Sequence, residues 1–399
     1  MNRRSFVQTV GVGAVGALTA LKADLGAQVP APTTAPAARR AAGAAANAIR
    51  IGANENPYGP ASSAIDAIAR VAGGANRYPG VLIGDLMTTV AAKHEVATDM
   101  VLLSGGSGDI LDAMVKAYTS KTKALVTGLP SYEQPSRGAQ RLGSPVIDVP
   151  LTSELRLDTN AMAAKATGAG LVYICNPNNP TSTVVPLSEV TALIEAVVKA
   201  SPTTRILVDE AYFEYADMPG FGTATPLAKK YPQVIVARTL SKIHGMAGMR
   251  VGYALAQPKT LAEIREFHSG SGLSSMSLAA ANASLKDTAN MEKNRTMNRA
   301  VRAFTAEAFT RAGYTVAASD ANFIFVNIKR DARGFQDACR LKGVMVGRAF
   351  PPMTTWARIS IGTQDEMDKA VPVFMSVLAA APTQTASFDH LDLLPSELT

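Results

Sequence analysis

From about residue 100, the chain alternates short apolar runs with stretches of helical periodicity, and this alternation constrains the fold more than any other feature. The apolar runs are continuous, as expected for parallel strands that helices cover on both faces. Seven such runs predict an α/β fold with a large domain around one seven-stranded, mostly parallel sheet. The predicted strands are residues 100–103, 124–127, 146–149, 171–175, 206–208, 234–237 and 251–255.

The segments around this sheet predict several further parts. Residues 28–48 are rich in Pro and Ala and predict a flexible linker, while the turn-dense residues 49–75 predict an N-terminal arm. We assign residues 76–275 to the large domain. Short strand and helix patterns in residues 276–382 predict a small α+β C-terminal domain, and residues 383–399 predict a tail.

The N-terminus has the pattern of an export signal. Twin arginines at positions 3 and 4 precede an uncharged apolar run over residues 10–21, which resembles a twin-arginine signal peptide. We therefore predict a signal peptide over residues 1–27, recognition by the export machinery and a periplasmic or exported protein, with cleavage after Ala27 or Ala38. The run is about half of the ~20 residues of a membrane-spanning helix, so we expect no stable membrane anchor. The alternative is a disordered basic start with a chance pair of arginines.

Composition and residue spacing argue against several classes of function. The net charge is +7, but residues 1–40 contain five basic residues and one acidic residue, so the rest of the chain carries only +3. This small excess gives no reason to expect a nucleic-acid partner. Cys175 and Cys339 lie in apolar or helical stretches and are expected to be buried, unpaired thiols. The four histidines have no paired spacing, so we predict no metal site.

A loop over residues 241–250, with the sequence SKIHGMAGMR, contains the groups that a covalently bound, phosphorylated aldehyde requires. Lys242 supplies an amine. Arg250 supplies a planar guanidinium, which suits a phosphate better than the point charge of a lysine. The small residues between them let the loop fold tightly beside a ligand. Taken alone, the pattern favours a solvated surface loop, because most lysines in loops are solvated surface residues.

Polar residues also follow two of the predicted strands, where ligands bind in open α/β sheets. Ser107 and Gly108 lie in a glycine-rich turn at the start of a helix, where backbone N–H groups favour an anion. Asp209 and Tyr212 follow the strand at 206–208. A half-buried carboxylate there needs a positive partner, which a protonated pyridine nitrogen or a structural lysine supplies.

Three more residues complete the set. Asn179 lies in a loop that two prolines hold extended, so its amide is presented at a defined place. Tyr132 follows a proline turn and either lies against an aromatic ligand or packs in the core. Arg358, in an apolar strand, suits either a structural or a substrate carboxylate. Pyridoxal 5′-phosphate uses all of these groups, and their joint occurrence favours it as the cofactor.

Five motifs together resemble the fold-type I pyridoxal-phosphate-dependent aminotransferases, in particular the histidinol-phosphate aminotransferase group. The motifs are residues 54–60, 176–181, 208–212, 241–252 and 358–363, within a similar stretch from about 49 to 380. The resemblance implies a homodimeric enzyme that moves an amino group between an L-amino acid and a 2-oxo acid. Two half-reactions of this kind imply ping-pong kinetics.

The resemblance also implies roles for single residues. It implies that Lys242 binds the cofactor covalently and is the catalytic residue, that Asp209 pairs with the pyridine nitrogen, and that Tyr132 stacks on the ring. The other implied cofactor contacts are Asn179 and Tyr212 at the ring oxygen, Ser107, Gly108, Thr239, Ser241 and Arg250 at the phosphate, and Tyr78 at the phosphate of the neighbouring subunit. The implied substrate contacts are Arg358, Asn54 and Arg348.

Three positions depart from the histidinol-phosphate aminotransferase pattern. Ser107-Gly108 stand where that group tends to have an alanine and acids, and Ser182 replaces the glycine expected after Asn-Pro-Thr. Arg348 lies one place away from the arginine that meets the substrate phosphate in that group. Together with the predicted export, these departures favour an amino acid substrate without a phosphate.

Two other functions remain open on the sequence. A decarboxylase, racemase or β-lyase of the same fold type would use the same cofactor site, and Arg358 discriminates against these only weakly. A non-catalytic binding module with this fold is the alternative from another class. The joint presence of Lys242, Asp209 and Arg250 argues against that second alternative.

Overall fold

The computed structural model describes residues 48–268, 270 and 272–380. The predicted signal peptide, the predicted linker up to residue 47 and the predicted tail lie outside these residues. Among the described residues, no helix combines the length and the apolar character needed to span a membrane. The same residues contain no group of three His, Cys, Asp or Glu side chains placed to hold a metal ion. Cys175 and Cys339 are buried and unpaired, as predicted.

The strands of the described part belong to three sheets. In chain order they are β1 (Ile49–Ile51), β2 (Val101–Ser104), β3 (Leu125–Leu129), β4 (Val146–Pro150), β5 (Leu171–Cys175), β6 (Arg205–Asp209), β7 (Val234–Thr239), β8 (Gly252–Leu255), β9 (Thr315–Val316), β10 (Phe323–Asn327), β11 (Val344–Val346) and β12 (Trp356–Ser360). Seven of them form one sheet in the order β2-β8-β7-β6-β5-β3-β4. Strands β3 to β7 pair in parallel, whereas β8 is antiparallel to both of its neighbours. The predicted mostly parallel, seven-stranded sheet is therefore confirmed.

Helices cover both faces of this sheet. In chain order the helices of the described part are α1 (Ser62–Ala72), α2 (Gly80–His94), α3 (Ser107–Tyr118), α4 (Gln134–Arg141), α5 (Thr159–Lys165), α6 (Leu187–Ala200), α7 (Thr225–Lys230), α8 (Pro258–Arg265), α9 (Ser275–Lys286), α10 (Thr288–Arg311), α11 (Ala332–Leu341) and α12 (Gln364–Ala379). In β5, Val172 and Ile174 enter one hydrophobic core, whereas Leu171 and Tyr173 enter the core on the opposite face. Because both faces are buried, the strand is a continuous apolar run in the sequence.

A further hydrophobic core surrounds the C-terminal strands. Strand β10 pairs antiparallel with β9 and β12, and β11 pairs in parallel with β1. Ile51 of β1 packs in this core with Phe335 of α11 and Phe374 of α12. The N-terminal arm thus contributes its first strand to the C-terminal core, and the residues that follow β1 lie close to β12.

Candidate active site

The predicted site residues converge at the carboxyl edge of the seven-stranded sheet. Strands β5, β6 and β7 are parallel neighbours, so the segments that follow them start from the same edge. Asn179 follows β5, Asp209 ends β6, and Lys242 follows β7. The sheet therefore brings together three motifs that are far apart in the sequence.

Lys242 lies half-buried in the loop between β7 and β8. Its Nζ donates a 3.5 Å hydrogen bond to the carbonyl oxygen of Ala53 and lies 5.6 Å from the centre of the Tyr212 ring. Loss of solvation, together with the positive charges of Arg358 and Arg250, lowers the pKa of Lys242 to about 8. The neutral amine is therefore far more accessible here than in an ordinary lysine.

Asp209 is buried at the end of β6. Oδ2 accepts a 2.9 Å hydrogen bond from the Tyr173 hydroxyl, and Oδ1 accepts a 3.1 Å bond from the Ala211 amide. Burial raises the pKa of Asp209 to about 6, although both hydrogen bonds and the charge of Lys242 oppose that rise. The two hydrogen-bond donors are neutral, so a cationic ligand group placed here would relieve the desolvation cost of the carboxylate.

Hydroxyl groups and a guanidinium gather beside the start of α3, which begins at Ser107. Thr239 Oγ1 donates a 3.0 Å hydrogen bond to Ser241 Oγ. Arg250 Nη1 lies 3.5 Å from the same Ser241 oxygen, and Arg250 Nη2 donates a 3.1 Å bond to the Gly105 carbonyl. This group combines a positive charge, hydroxyl donors and a helix N-terminus, which is the donor set that a phosphate needs.

Glycine at position 106 is required for this arrangement. Gly106 has a φ of 93°, and a Cβ atom on it would clash with the guanidinium of Arg250. Close approach also governs Gly252, because a Cβ atom there would lie 2.5 Å from the backbone nitrogen of Ser107. Glycine at both positions therefore leaves room for the candidate phosphate-binding group to form.

Together these groups fit pyridoxal 5′-phosphate. A cradle for an anion, a carboxylate without a cationic hydrogen-bond partner and an amine with a lowered pKa lie on one sheet edge. They match the phosphate, the pyridine nitrogen and the aldehyde of that cofactor.

A network of amides surrounds the phenol of Tyr212, which is buried. Asn54 and Asn179 donate to the Tyr212 hydroxyl through their Nδ2 atoms, at 3.0 and 3.4 Å. Asn54 is also bound to Ser360 of β12, through its backbone amide at 2.9 Å and its Oδ1 at 2.8 Å. The structure thus brings Asn54, Asn179 and Tyr212 together, and the Asn54 bonds connect them to the C-terminal core.

Arg358 is buried on β12, directly beside this network. Its Nη1 donates a 2.8 Å hydrogen bond to Asn179 Oδ1, and its Nη2 donates a 2.6 Å bond to the carbonyl of Gly52. Its buried Nε has no hydrogen-bond partner among the described residues. Burial lowers the pKa of Arg358 to about 10, which shows how poorly its charge is solvated.

Arg348 belongs to the same surroundings but has different partners. Its Nη2 lies 2.6 Å from Glu133 Oε1, and its guanidinium carbon lies 4.2 Å from the centre of the Phe350 ring. The side chain is about half exposed. Tyr78 is not brought into the site within one chain, because its side chain is fully exposed.

A cavity of about 290 Å³ lies beside Arg348 and Arg358. Its lining includes Tyr132, Asn179, Arg348, Phe350 and Arg358. The cavity therefore lies between the sheet edge that fits the cofactor and the C-terminal strands. A single amino acid or 2-oxo acid is a ligand of the size that such a volume accommodates.

Sequence reasoning missed two polar partners in this region. Tyr173 holds Asp209, and Glu133 holds Arg348. A signal for Tyr173 exists, because Asp209 is opposite Cys175 in the sheet register and Tyr173 is two residues earlier on the same face. Glu133 carries no such signal, because its partner comes from a distant part of the chain.

Comparison with known proteins gives a consistent result. The family model for aminotransferase class I and II matches residues 46–374. The histidinol-phosphate aminotransferase of Symbiobacterium thermophilum is 32% identical over 332 residues, which cover 83% of this chain and 90% of that protein. The aromatic amino acid aminotransferase of Rhodococcus opacus is 34% identical over 322 residues, with 80% and 88% covered.

Solved structures agree with the sequence relatives. The histidinol-phosphate aminotransferase from Sinorhizobium meliloti, solved in complex with pyridoxal 5′-phosphate, superposes with a TM-score of 0.77 at 28% identity and covers 83% of this chain and 90% of that one. The predicted fold class, activity and cofactor are thereby confirmed. The chain belongs to the class I and II aminotransferase family and is a fold-type I, pyridoxal-phosphate-dependent aminotransferase.

Proposed function

We propose that this aminotransferase acts on an amino acid without a phosphate group, with Lys242 as the catalytic residue and Arg358 as the carboxylate-binding residue. The proposal rests on the burial of Arg358 and on its hydrogen-bond partners. Its guanidinium is buried beside the cavity, its hydrogen-bond acceptors are neutral oxygens, and its Nε has no partner among the described residues. A substrate α-carboxylate supplies the missing negative charge and an acceptor for that N–H.

Binding through Arg358 also orients the substrate. The hydrogen bonds to Asn179 and Gly52 hold the guanidinium plane in place before any ligand enters. A planar, fixed fork grips a carboxylate at two oxygens and so restricts rotation of the attached α-carbon. Lys242 Nζ is bound to Ala53, which lines this cavity, so in this proposal Arg358 presents that carbon towards Lys242.

Proton transfer is assigned to Nζ of Lys242. Bound pyridoxal 5′-phosphate supplies the electron sink for the bond that breaks at the α-carbon. Nζ takes up the α-proton as a general base and returns a proton as a general acid. A pKa of about 8 leaves part of the amine neutral near pH 7, as a base requires. In this proposal the buried carboxylate of Asp209 stabilises a protonated pyridine nitrogen.

The names of the relatives offer two substrate classes, histidinol phosphate and aromatic amino acids. We propose that this chain resembles the second class in acting on amino acids without a phosphate. Tyr132 and Phe350 line the cavity and give it aromatic walls. Arg348 lies one place away from the arginine expected to meet a substrate phosphate. It already has Glu133 as an ion-pair partner.

A spectroscopic titration tests this proposal. The purified protein is loaded with pyridoxal 5′-phosphate, and its visible absorbance is followed while single amino acids are added. We expect phenylalanine or tyrosine to bleach the band and a 2-oxo acid to restore it. Release of carbon dioxide without restoration would instead support the decarboxylase alternative, and a response to histidinol phosphate alone would contradict the proposed substrate class.

We also propose that the enzyme is exported and works as a homodimer. The twin-arginine pattern at positions 3 and 4 supports export. The full exposure of Tyr78 supports a role for that residue outside its own chain. Cell fractionation of the wild type and of a variant with two lysines at positions 3 and 4 tests the first point, since only the wild type should leave the cytoplasm. Analytical ultracentrifugation tests the homodimer, for which we expect the mass of two chains.

A further inference from the structure

We infer that Glu133 is a specificity-determining residue, which disfavours substrates with an anionic side chain by holding Arg348 in an ion pair at the cavity wall. This inference rests on the proposed function and names a substrate class for it, the amino acids with an uncharged side chain. It is carried by the partners of two arginines that line the same cavity, Arg348 and Arg358.

The guanidinium of Arg348 is engaged on three sides. Its Nη2 is 2.6 Å from Glu133 Oε1, its Nη1 donates a 2.8 Å hydrogen bond to the carbonyl of Ala349, and its plane lies over Phe350. An anionic substrate group must therefore compete with a carboxylate that is already in contact. Arg348 alone would attract such a group, but the carboxylate of Glu133 beside it opposes that attraction.

The carboxylate of Glu133 has further contacts that fix its position. It directly precedes α4, and the N-terminus of a helix favours a negative charge. Its second oxygen, Oε2, lies 2.6 Å from Arg137 on the first turns of the same helix. Arg137 does not line the cavity, so one glutamate connects an arginine inside the cavity to an arginine outside it. The carboxylate is therefore a fixed feature of the wall.

A second arginine at the cavity wall also has a carboxylate partner. Arg50 lies 3.6 Å from Glu55. Only Arg358, among the arginines that line the cavity, has no carboxylate partner within the described residues. The cavity thus has one place for an anion, which the α-carboxylate of the substrate takes. The remaining wall offers Phe350 and two arginines that already have carboxylate partners, and it therefore suits an uncharged side chain.

The substitution Glu133→Gln tests the inference, because it keeps the size of the side chain and removes its charge. The kcat/KM of the holoenzyme is measured with phenylalanine and with glutamate as donors and with pyruvate as the common acceptor. We expect the glutamate-to-phenylalanine ratio to rise by about fivefold or more, since release of a partly exposed ion-pair partner is worth an effect of that order. An unchanged ratio would overturn the inference.

Two matched variants isolate the cause. Glu307→Gln makes the same change in net charge on an exposed part of α10, next to Arg311, and is expected to leave the ratio as in the wild type. In the double variant Glu133→Gln/Arg348→Gln the gain for glutamate should disappear, because the released guanidinium is missing. A gain that survives in the double variant would show that Arg348 is not the receptor.

A binding measurement separates this inference from the proposed function. Calorimetry on the holoenzyme compares the affinity for glutarate with that for 3-phenylpropionate, neither of which has an amino group to transfer. Glu133→Gln should strengthen glutarate binding relative to 3-phenylpropionate by a similar factor, and an equal affinity ratio in wild type and variant would again contradict the inference. A wild type that turns over no uncharged amino acid would contradict the proposed function alone, because the binding result does not depend on turnover.

Discussion

The active site has a cofactor side and a substrate side, and the two are built differently. The cofactor side comes from parallel strands of one sheet, and Asp209 and Thr239 are buried at the ends of those strands. The substrate side comes from the C-terminal core and from the segment after β1, and its Arg348 is half exposed. Groups on the sheet edge are fixed by the hydrogen bonds of the sheet, whereas groups on the other side depend on contacts between distant segments. We therefore expect the cofactor side to determine the reaction type and the substrate side to leave room for different substrates.

The largest effect is expected on the cofactor side. Lys242→Ala should reduce turnover by at least ~10³-fold, since it removes the amine to which we assign both covalent attachment of the cofactor and general-base catalysis. Far-ultraviolet circular dichroism should show an unchanged fold, and the visible band of the covalently bound cofactor should be absent. Lys199→Ala, at an exposed lysine of α6, is the matched control and should behave as the wild type. Substantial residual turnover in Lys242→Ala would contradict the assigned role.

The next effect compares two arginines on the substrate side. Arg358→Gln should lower kcat/KM for amino acids by roughly 30-fold or more, because loss of one partner of a buried charge pair costs about 2–5 kcal/mol. Arg348→Gln removes the same charge from the same cavity, but with an uncharged donor it should cost less than about threefold, as for an exposed ion pair. Steady-state kinetics with phenylalanine measures both. Equal losses would mean that the two arginines do not differ in the way their partners indicate.

A third effect concerns a positioning residue on the cofactor side. Tyr173→Phe removes the 2.9 Å hydrogen bond to Asp209, which favours the ionised carboxylate and holds down its pKa. Without it the pKa of Asp209 rises further, so Asp209 becomes protonated at a higher pH. If an ionised Asp209 is required, the acid limb of the kcat/KM profile should move to higher pH, with a loss of roughly tenfold on that limb, since hydrogen bonds to charged groups contribute about 1.5–3 kcal/mol.

The control for that prediction is Tyr118→Phe. Tyr118 donates a 2.8 Å hydrogen bond to Glu263, a carboxylate outside the site, so this variant loses the same kind of bond elsewhere. It is expected to lower stability slightly and to leave the acid limb in place. An acid limb that stays fixed in Tyr173→Phe would show that Tyr173 supports only the core.

The sheet was predictable because its strands are buried on both faces. The predicted strand at 171–175 coincides with β5, and the other six predicted strands overlap the observed ones within a few residues. The elements that the sequence pattern did not predict include β1, α2 and α9, each for a physical reason. Strand β1 has three residues and one buried side chain. Helix α2 begins at a glycine and contains another, and α9 is built of small residues buried on most sides, so neither shows a clear apolar stripe.

The same contrast applies to the site. Asp209 and Lys242 follow strands directly, so the order of strands brings them together and the sequence pattern identifies them. The pairing of Arg348 with Glu133 depends on how α4 meets the segment after β11, which no local pattern encodes. The proximity of Asn54 to Ser360 likewise depends on β1 joining the C-terminal core. Contacts of this second kind form the proposed substrate side, and they could be identified only from the structure.

The smallest effect is expected at Ser182, where the loop after β5 contacts the segment before β10. Ser182, where the resemblance leads one to expect glycine, has a φ of 60°, and its carbonyl accepts a 2.9 Å hydrogen bond from the Asp320 amide. Ser182→Gly should relieve the left-handed backbone at the cost of chain entropy and of the hydroxyl's bond to the Thr181 carbonyl, and so change the free energy of unfolding by less than about 1 kcal/mol. Ser182→Ala keeps the strained φ and loses the bond, so it should destabilise by about 1 kcal/mol. Urea denaturation of both variants and of the wild type measures these effects. A Ser182→Ala protein as stable as Ser182→Gly would mean that the backbone strain does not matter, and one as stable as the wild type would mean that the hydroxyl does not matter.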